Sequence, residues 1–167
     1  MVNDDWFGGR YSTLAWIEFS FAACVALMGL NMGRFKLTRP GFAYAASMAF
    51  IGLTVLAMGW AESLWLFILW NALAGLALPF AWLPIQVYIQ SAFKDKLRGR
   101  VSSAWVSSQM SVQPIGLLGI GPLIDGLGIR GAFAARGGGM FLAGLLGLSV
   151  RATREATMPK LVASQAE

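Results

Sequence analysis

Long apolar runs separated by short polar connections set the pattern of this chain; strict alternation of apolar and polar positions is nowhere sustained. Crossing the ~30 Å hydrocarbon core of a bilayer takes about 20 mainly apolar helical residues. Five stretches qualify: 12–33, 42–60, 64–93, 101–124 and 131–150. Each must be helical, because an unpaired backbone group in lipid costs several kcal/mol, and a barrel would need the missing alternation. The predicted fold is all-α: a polytopic membrane helix bundle of five transmembrane helices. An external segment (1–11) would precede it and a cytoplasmic tail (151–167) would follow.

Basic residues give the bundle a direction. The connection after the first stretch carries Arg34, Lys36 and Arg39. The one after the third carries Lys94, Lys96, Arg98 and Arg100, and the tail carries Arg151, Arg154 and Lys160. Alternate connections therefore hold ten of the thirteen Lys and Arg residues. Cytoplasmic loops are the ones enriched in Lys and Arg, so the N-terminus is expected outside and the C-terminus inside the cell membrane. Trp6, Trp16, Trp60 and Trp65 then fall near the outer boundary, where indole rings gather; a binding cage is the competing reading. An odd helix count with an external N-terminus implies either that the first helix inserts N-out unaided or that further helices belong upstream, and the second reading is preferred.

Polar side chains are unevenly shared. The second stretch offers only Ser47 and Thr54. The fifth carries small residues at Gly131, Ala135, Gly139, Ala143 and Gly147, a period-four stripe of the kind that admits another helix closely. The other three stretches hold Glu18, Ser20 and Asn31; then Asn71, Gln86 and Gln90; then Ser103, Ser107, Ser111, Gln109 and Gln113. This division predicts that the second and fifth helices face lipid while the first, third and fourth line an aqueous cavity.

Glu18 stands out, since an ionised group at the bilayer centre costs of order 2.5–3.5 kcal/mol on insertion scales. It reads either as a coupling or cation-binding carboxylate facing the cavity, or as a boundary glutamate reaching the outer headgroups. Asn71, Gln86, Gln90, Gln109 and Gln113 read as substrate contacts or as interhelical hydrogen-bonding glue, worth about 0.6 kcal/mol each. Arg136, one turn into the fifth stretch, is expected to snorkel outward. Pro79 and Pro84 each remove a backbone hydrogen bond from the third stretch and predict kinks there.

Composition sharpens the picture. Of 167 residues, 57% are hydrophobic and 13% charged, about half the charged share of a soluble domain. The net charge of +5 comes from loop residues between apolar runs, so no nucleic-acid partner is expected. Cys24 is the single cysteine and histidine is absent, so no metal cluster, cofactor site or enzymatic constellation is predicted. Gly137–Gly139 lack the Lys-Ser/Thr that a phosphate loop requires.

The run Pro84-Ile85-Gln86 through Gln90, then Leu97-Arg98-Gly99-Arg100-Val101-Ser102-Ser103, Pro114-Ile115-Gly116, Gly121-Pro122-Leu123-Ile124-Asp125 and Gly128-Ile129-Arg130 resembles the C-terminal half of major facilitator superfamily transporters. Within these it is most similar to bacterial drug and siderophore exporters of the macrolide-efflux and enterobactin-exporter type. Met32-Gly33-Arg34 with Arg39-Pro40-Gly41 is similar to the family's basic loop between its eighth and ninth helices. The resemblance covers residues 7 to 150 and implies that the five stretches correspond to the eighth to twelfth helices. It further implies export of a small organic compound, coupled to protons or another cation. Arg98, Gly99 and Arg100 would belong to a cytoplasmic gate, a position that the basic loop alone also explains. The lipid bilayer, a small-molecule substrate and the N-terminal half of such a transporter are the implied partners. A membrane-embedded interaction subunit, docking through the small-residue stripe, is the alternative.

Overall fold

The structure, a computed structural model, describes residues 11–35, 39–92 and 95–151. Among these no strand occurs. Helix α1 spans Tyr11–Asn31 and ends in a short 3-10 turn, Met32–Arg34; α2 spans Pro40–Gly59, α3 Leu64–Ala92 and α4 Asp95–Ser149. Local chemistry marks several boundaries. Pro40 opens α2, where its missing N–H would be unpaired in any case. Ser63 caps α3, its Oγ accepting from the Leu66 N–H at 3.3 Å.

Pro79 and Pro84 lie inside α3, which remains one helix of 29 residues across both. The fourth and fifth predicted stretches, by contrast, merge. Helix α4 runs 55 residues with a single non-helical position, Gly128 at φ 70°, ψ 174°. Only glycine occupies that region without steric cost, so Gly128 divides α4 into a first arm (95–127) and a second arm (129–149). The connection expected between the two stretches shrinks to that one residue.

Four segments are long and apolar enough to cross a membrane: Ser12–Arg34, Pro40–Gly59, Leu64–Tyr88 and Gly121–Ser149. The first three overlap the first three predicted stretches, whereas Gly121–Ser149 takes in the fifth stretch together with the end of the fourth and the Gly128 break between them. The fourth stretch, 101–124, is helical throughout, but its serines and glutamines dilute its apolar character. Most of the first arm's described side chains are exposed. A Cβ placed on Gly116, Gly119, Gly121 or Gly126 would meet nothing within 4 Å.

The core sits on α2. Ala45, Ala49, Ile51, Val55 and Met58 are buried there, with Ala61, Phe67, Ala74 and Ala77 beside them. The two buried polar side chains of α2 satisfy themselves on their own helix: Ser47 Oγ donates to the Ala43 carbonyl (2.7 Å) and Thr54 Oγ1 to that of Ile51 (2.8 Å). Such back-bonding lets a hydroxyl be buried without an orphaned donor.

The tightest packing joins α2 to the second arm of α4. A Cβ on Gly137 would lie 2.8 Å from the Gly52 carbonyl oxygen, and one on Gly144 would lie 2.7 Å from the Ala49 Cα. Toward one end Gly59 meets Phe133, and toward the other Gly147 meets Ala45. Falling numbers on α2 thus pair with rising numbers on the second arm, and the two run antiparallel. The contact stripe is Gly137, Gly144 and Gly147. It shares only Gly147 with the predicted period-four stripe: Gly139 has open space around it, and Ala135 and Ala143 are exposed.

This arrangement corrects the expected division of faces. The two helices poorest in polar groups do not both turn outward; α2 is the most buried span and α1 the least. Close approach of glycine and alanine faces rewards van der Waals packing, and apolar composition alone does not distinguish that from exposure to lipid.

Candidate functional site

A cleft of about 420 Å³ opens between α1, α2, α3 and the second arm of α4. Its wall is largely apolar, including Phe21, Met48, Met58, Phe67, Phe133 and Met140; Glu18, Asn71 and Arg136 supply its polar groups. Clefts that hold drug-sized ligands measure about 300–1,000 Å³ and combine apolar walls with a few placed polar groups.

Each polar residue comes from a different helix. Asn71 on α3 donates from Nδ2 to the Ile17 carbonyl of α1 at 2.8 Å. Ser20 Oγ donates to the same carbonyl at 2.8 Å. One turn further along, Gly75 of α3 lies so close to α1 that an added Cβ would sit 2.8 Å from the Phe21 carbonyl oxygen. The pairs 17–71 and 21–75 advance together, so α1 and α3 run parallel. Asn71 therefore serves at least as interhelical glue, holding α1 at the residue preceding Glu18.

Glu18 is exposed and lies along the cleft, and Arg136 faces the same space from the second arm of α4. Neither takes a hydrogen-bond or ion-pair partner among the described residues. The cleft thus holds one potential anion and one potential cation that do not neutralise each other. Aromatic packing closes one end, where the Phe67 and Phe133 rings meet edge to face at 6.0 Å between centroids.

The other sequence-predicted residues lie elsewhere. Gln86 is half-buried near the far end of α3 and does not line the cleft. Gly99 and Arg100 are exposed in the opening turns of α4. The side chains of Gln90, Arg98, Gln109 and Gln113 lie outside the described residues, although their backbones belong to α3 and α4. Trp16, Trp60 and Trp65 are 63%, 56% and 79% exposed and none lines the cleft; Trp6 lies outside the described residues.

Arg136 is the member that sequence reasoning assigned elsewhere. A signal for it existed: across the five predicted stretches Glu18 is the sole acidic residue and Arg136 the sole basic one. The facing of Arg136 was hidden, because it depends on the Gly137 and Gly144 contacts with α2, which fix the rotation of the second arm.

Residues 4–166 match the Major Facilitator Superfamily. No curated protein and no solved structure matches the chain. With its apolar spans packed as described and nearly its whole length covered by the match, this multi-pass membrane protein belongs to the Major Facilitator Superfamily, a family of transporters.

Proposed function

We propose that the chain forms part of a proton-coupled secondary transporter that exports a small organic compound of the drug or siderophore class. The observation that carries this reading is the convergence of Glu18 and Asn71 on an apolar cleft between helices. A carboxylate in such a place can take up and release a proton as the cleft changes access. The resemblance of the Leu97–Val101 and Pro114–Gly116 segments to drug and siderophore exporters supports the direction and substrate class.

In this reading Glu18 is the coupling carboxylate, and Asn71, Gln86, Gln90, Gln109 and Gln113 face the transport path in at least one of its states. Arg98, Gly99 and Arg100 act at the cytoplasmic gate. The protein resides in the cell (inner or plasma) membrane with its N-terminus outside and its C-terminus in the cytoplasm. Transporters of this kind rock two helical halves about a central site, so this chain works with a further set of helices. A non-transporting, membrane-embedded subunit is the second reading. The open glycine face of the first arm, suited to docking another helix, favours it.

Replacing Glu18 by Gln in the complete transporter, reconstituted in proteoliposomes, tests the first reading. Substrate flux driven by an imposed pH gradient should be abolished while the protein still inserts. Undiminished flux would leave Glu18 a structural role only.

A further inference from the structure

Glu18 and Arg136 occur on helices far apart in sequence, yet the fold brings both to a single cleft. They are the only acid and the only base within the five predicted stretches. Both side chains are exposed and line the cleft, and they are not paired with each other. Each therefore offers an unneutralised charge to whatever enters, and a charge-assisted contact gains strength in a largely apolar cleft. A purely cationic ligand would satisfy Glu18 and leave Arg136 bare; a purely anionic one would do the reverse.

From this balance we infer that the cleft binds a zwitterionic organic compound: an apolar, ring-bearing body with a protonated amine toward Glu18 and a carboxylate toward Arg136. Guanidinium is suited to this task because its planar fork of donors matches the two oxygens of a carboxylate. Asn71 adds to the amine side. Its Nδ2 is committed to the Ile17 carbonyl, which leaves Oδ1 as an acceptor. Phe21, Phe67 and Phe133, together with Met48, Met58 and Met140 of the same wall, accommodate the body; aromatic faces and adaptable thioethers suit a flat ring system. The volume of about 420 Å³ is at the small end of ligand clefts and fits a compact molecule. The inference rests on the cleft being the transport site and names the charge class of its substrate.

A matched set of probes tests it with the chain in lipid nanodiscs: 2-naphthylalanine (zwitterion), its methyl ester (cation) and its N-acetyl derivative (anion). The zwitterion should bind about tenfold or more tighter than either relative, since each loses one charge-assisted contact. Arg136→Gln should bring the zwitterion down to the ester's affinity, and Glu18→Gln should bring it down to that of the N-acetyl compound. Arg136→Lys should keep part of the carboxylate preference, which a role in packing alone would not predict. Thermal melting of each variant controls for folding. Tightest binding by the ester, insensitive to Arg136→Gln, overturns the zwitterion assignment while leaving the cleft as a cation site. Binding of no probe, or binding that neither variant alters, overturns the cleft itself as the site.

Discussion

Adding one methyl group at Gly144 offers the most direct test of the packing that shapes the cleft. The new Cβ would lie 2.7 Å from both the Cα and the Cβ of Ala49, and close against its amide nitrogen. Non-bonded carbons prefer about 3.5–4.0 Å, and the obstructing atoms are backbone that cannot swing aside. Helix α2 and the second arm must therefore separate by roughly 1 Å. A gap of that size forfeits a quarter to a half of a contact worth about 0.1–0.2 kcal/mol per atom pair. Spread over some tens of pairs along this interface, the loss is on the order of 2 kcal/mol, inside the ~1–3 kcal/mol range for overpacked cores. Gly139→Ala is the matched control, because its methyl meets nothing within 4 Å and gains helix propensity. Reversible unfolding of the purified chain in mixed micelles, titrated with sodium dodecyl sulfate, measures both. Gly144→Ala should unfold at clearly lower denaturant while Gly139→Ala matches or exceeds the wild type. Equal stability of the two variants would refute the assigned stripe.

Other expectations follow from the same contacts. Asn71→Leu should cost about 0.6 kcal/mol, and at most ~1.7, in the same unfolding assay, because it removes the tie to the Ile17 carbonyl; no change would mean that this hydrogen bond holds nothing. A double-mutant cycle on Phe67→Ala and Phe133→Ala should return a coupling of about 0.5–1.5 kcal/mol from the edge-to-face pair, and strict additivity would argue that the rings do not meet. With Cys24 replaced, a cysteine at Glu62 should react with an impermeant maleimide added to intact cells, and one at Gly99 should not; the opposite pattern would invert the proposed orientation.

What the sequence disclosed and what it hid divide along physical lines. Spans were legible because bilayer thickness demands a minimum apolar length, and the observed α2 differs from its predicted stretch by two residues or fewer at each end. Glu18 stood out because an acid in such a span needs a reason, and the fold places it along the cleft. Helix facing was not legible. Helix α2 carries two hydroxyls, Ser47 and Thr54, seven residues apart on one face and both buried. Because each bonds back to its own helix, they did not read as a packing face, and the burial emerges from Gly52 and Ala49 meeting Gly137 and Gly144. Small residues on the second arm occur at two registers. Composition could not tell the packed set from Gly139 and Ala143, which differ from it only by rotation about the helix axis. Arg136 followed the same ambiguity: a snorkelling arginine and a cleft-facing one occupy the same depth.

The directions of the helices bear on the one predicted crossing whose composition is too polar to stand out. A four-residue connection makes α2 and α3 an antiparallel hairpin, and α2 is also antiparallel to the second arm of α4. Helix α3 and the second arm are therefore parallel, and the Phe67–Phe133 contact places their beginnings at the same end. Once both span a bilayer, Ala92 and Ile129 lie on opposite sides of it. The chain between them must then cross, and at 1.5 Å per residue the helical first arm, 95–127, has about 50 Å to do so. We infer that this arm is the fifth crossing. Its serines and glutamines would be costly facing lipid on all sides, and Ser108 and Ser111 already turn inward to their own backbone carbonyls, at Trp105 and Ser107. A crossing with that composition needs water or another helix along its flank. The open face at Gly116, Gly119 and Gly126 is where a neighbouring helix can come close. Bulky substitution there, as in Gly119→Leu, should leave the isolated chain's stability unchanged and reduce flux in the assembled transporter. A fall in the isolated chain's own stability would show instead that this face is already occupied within it.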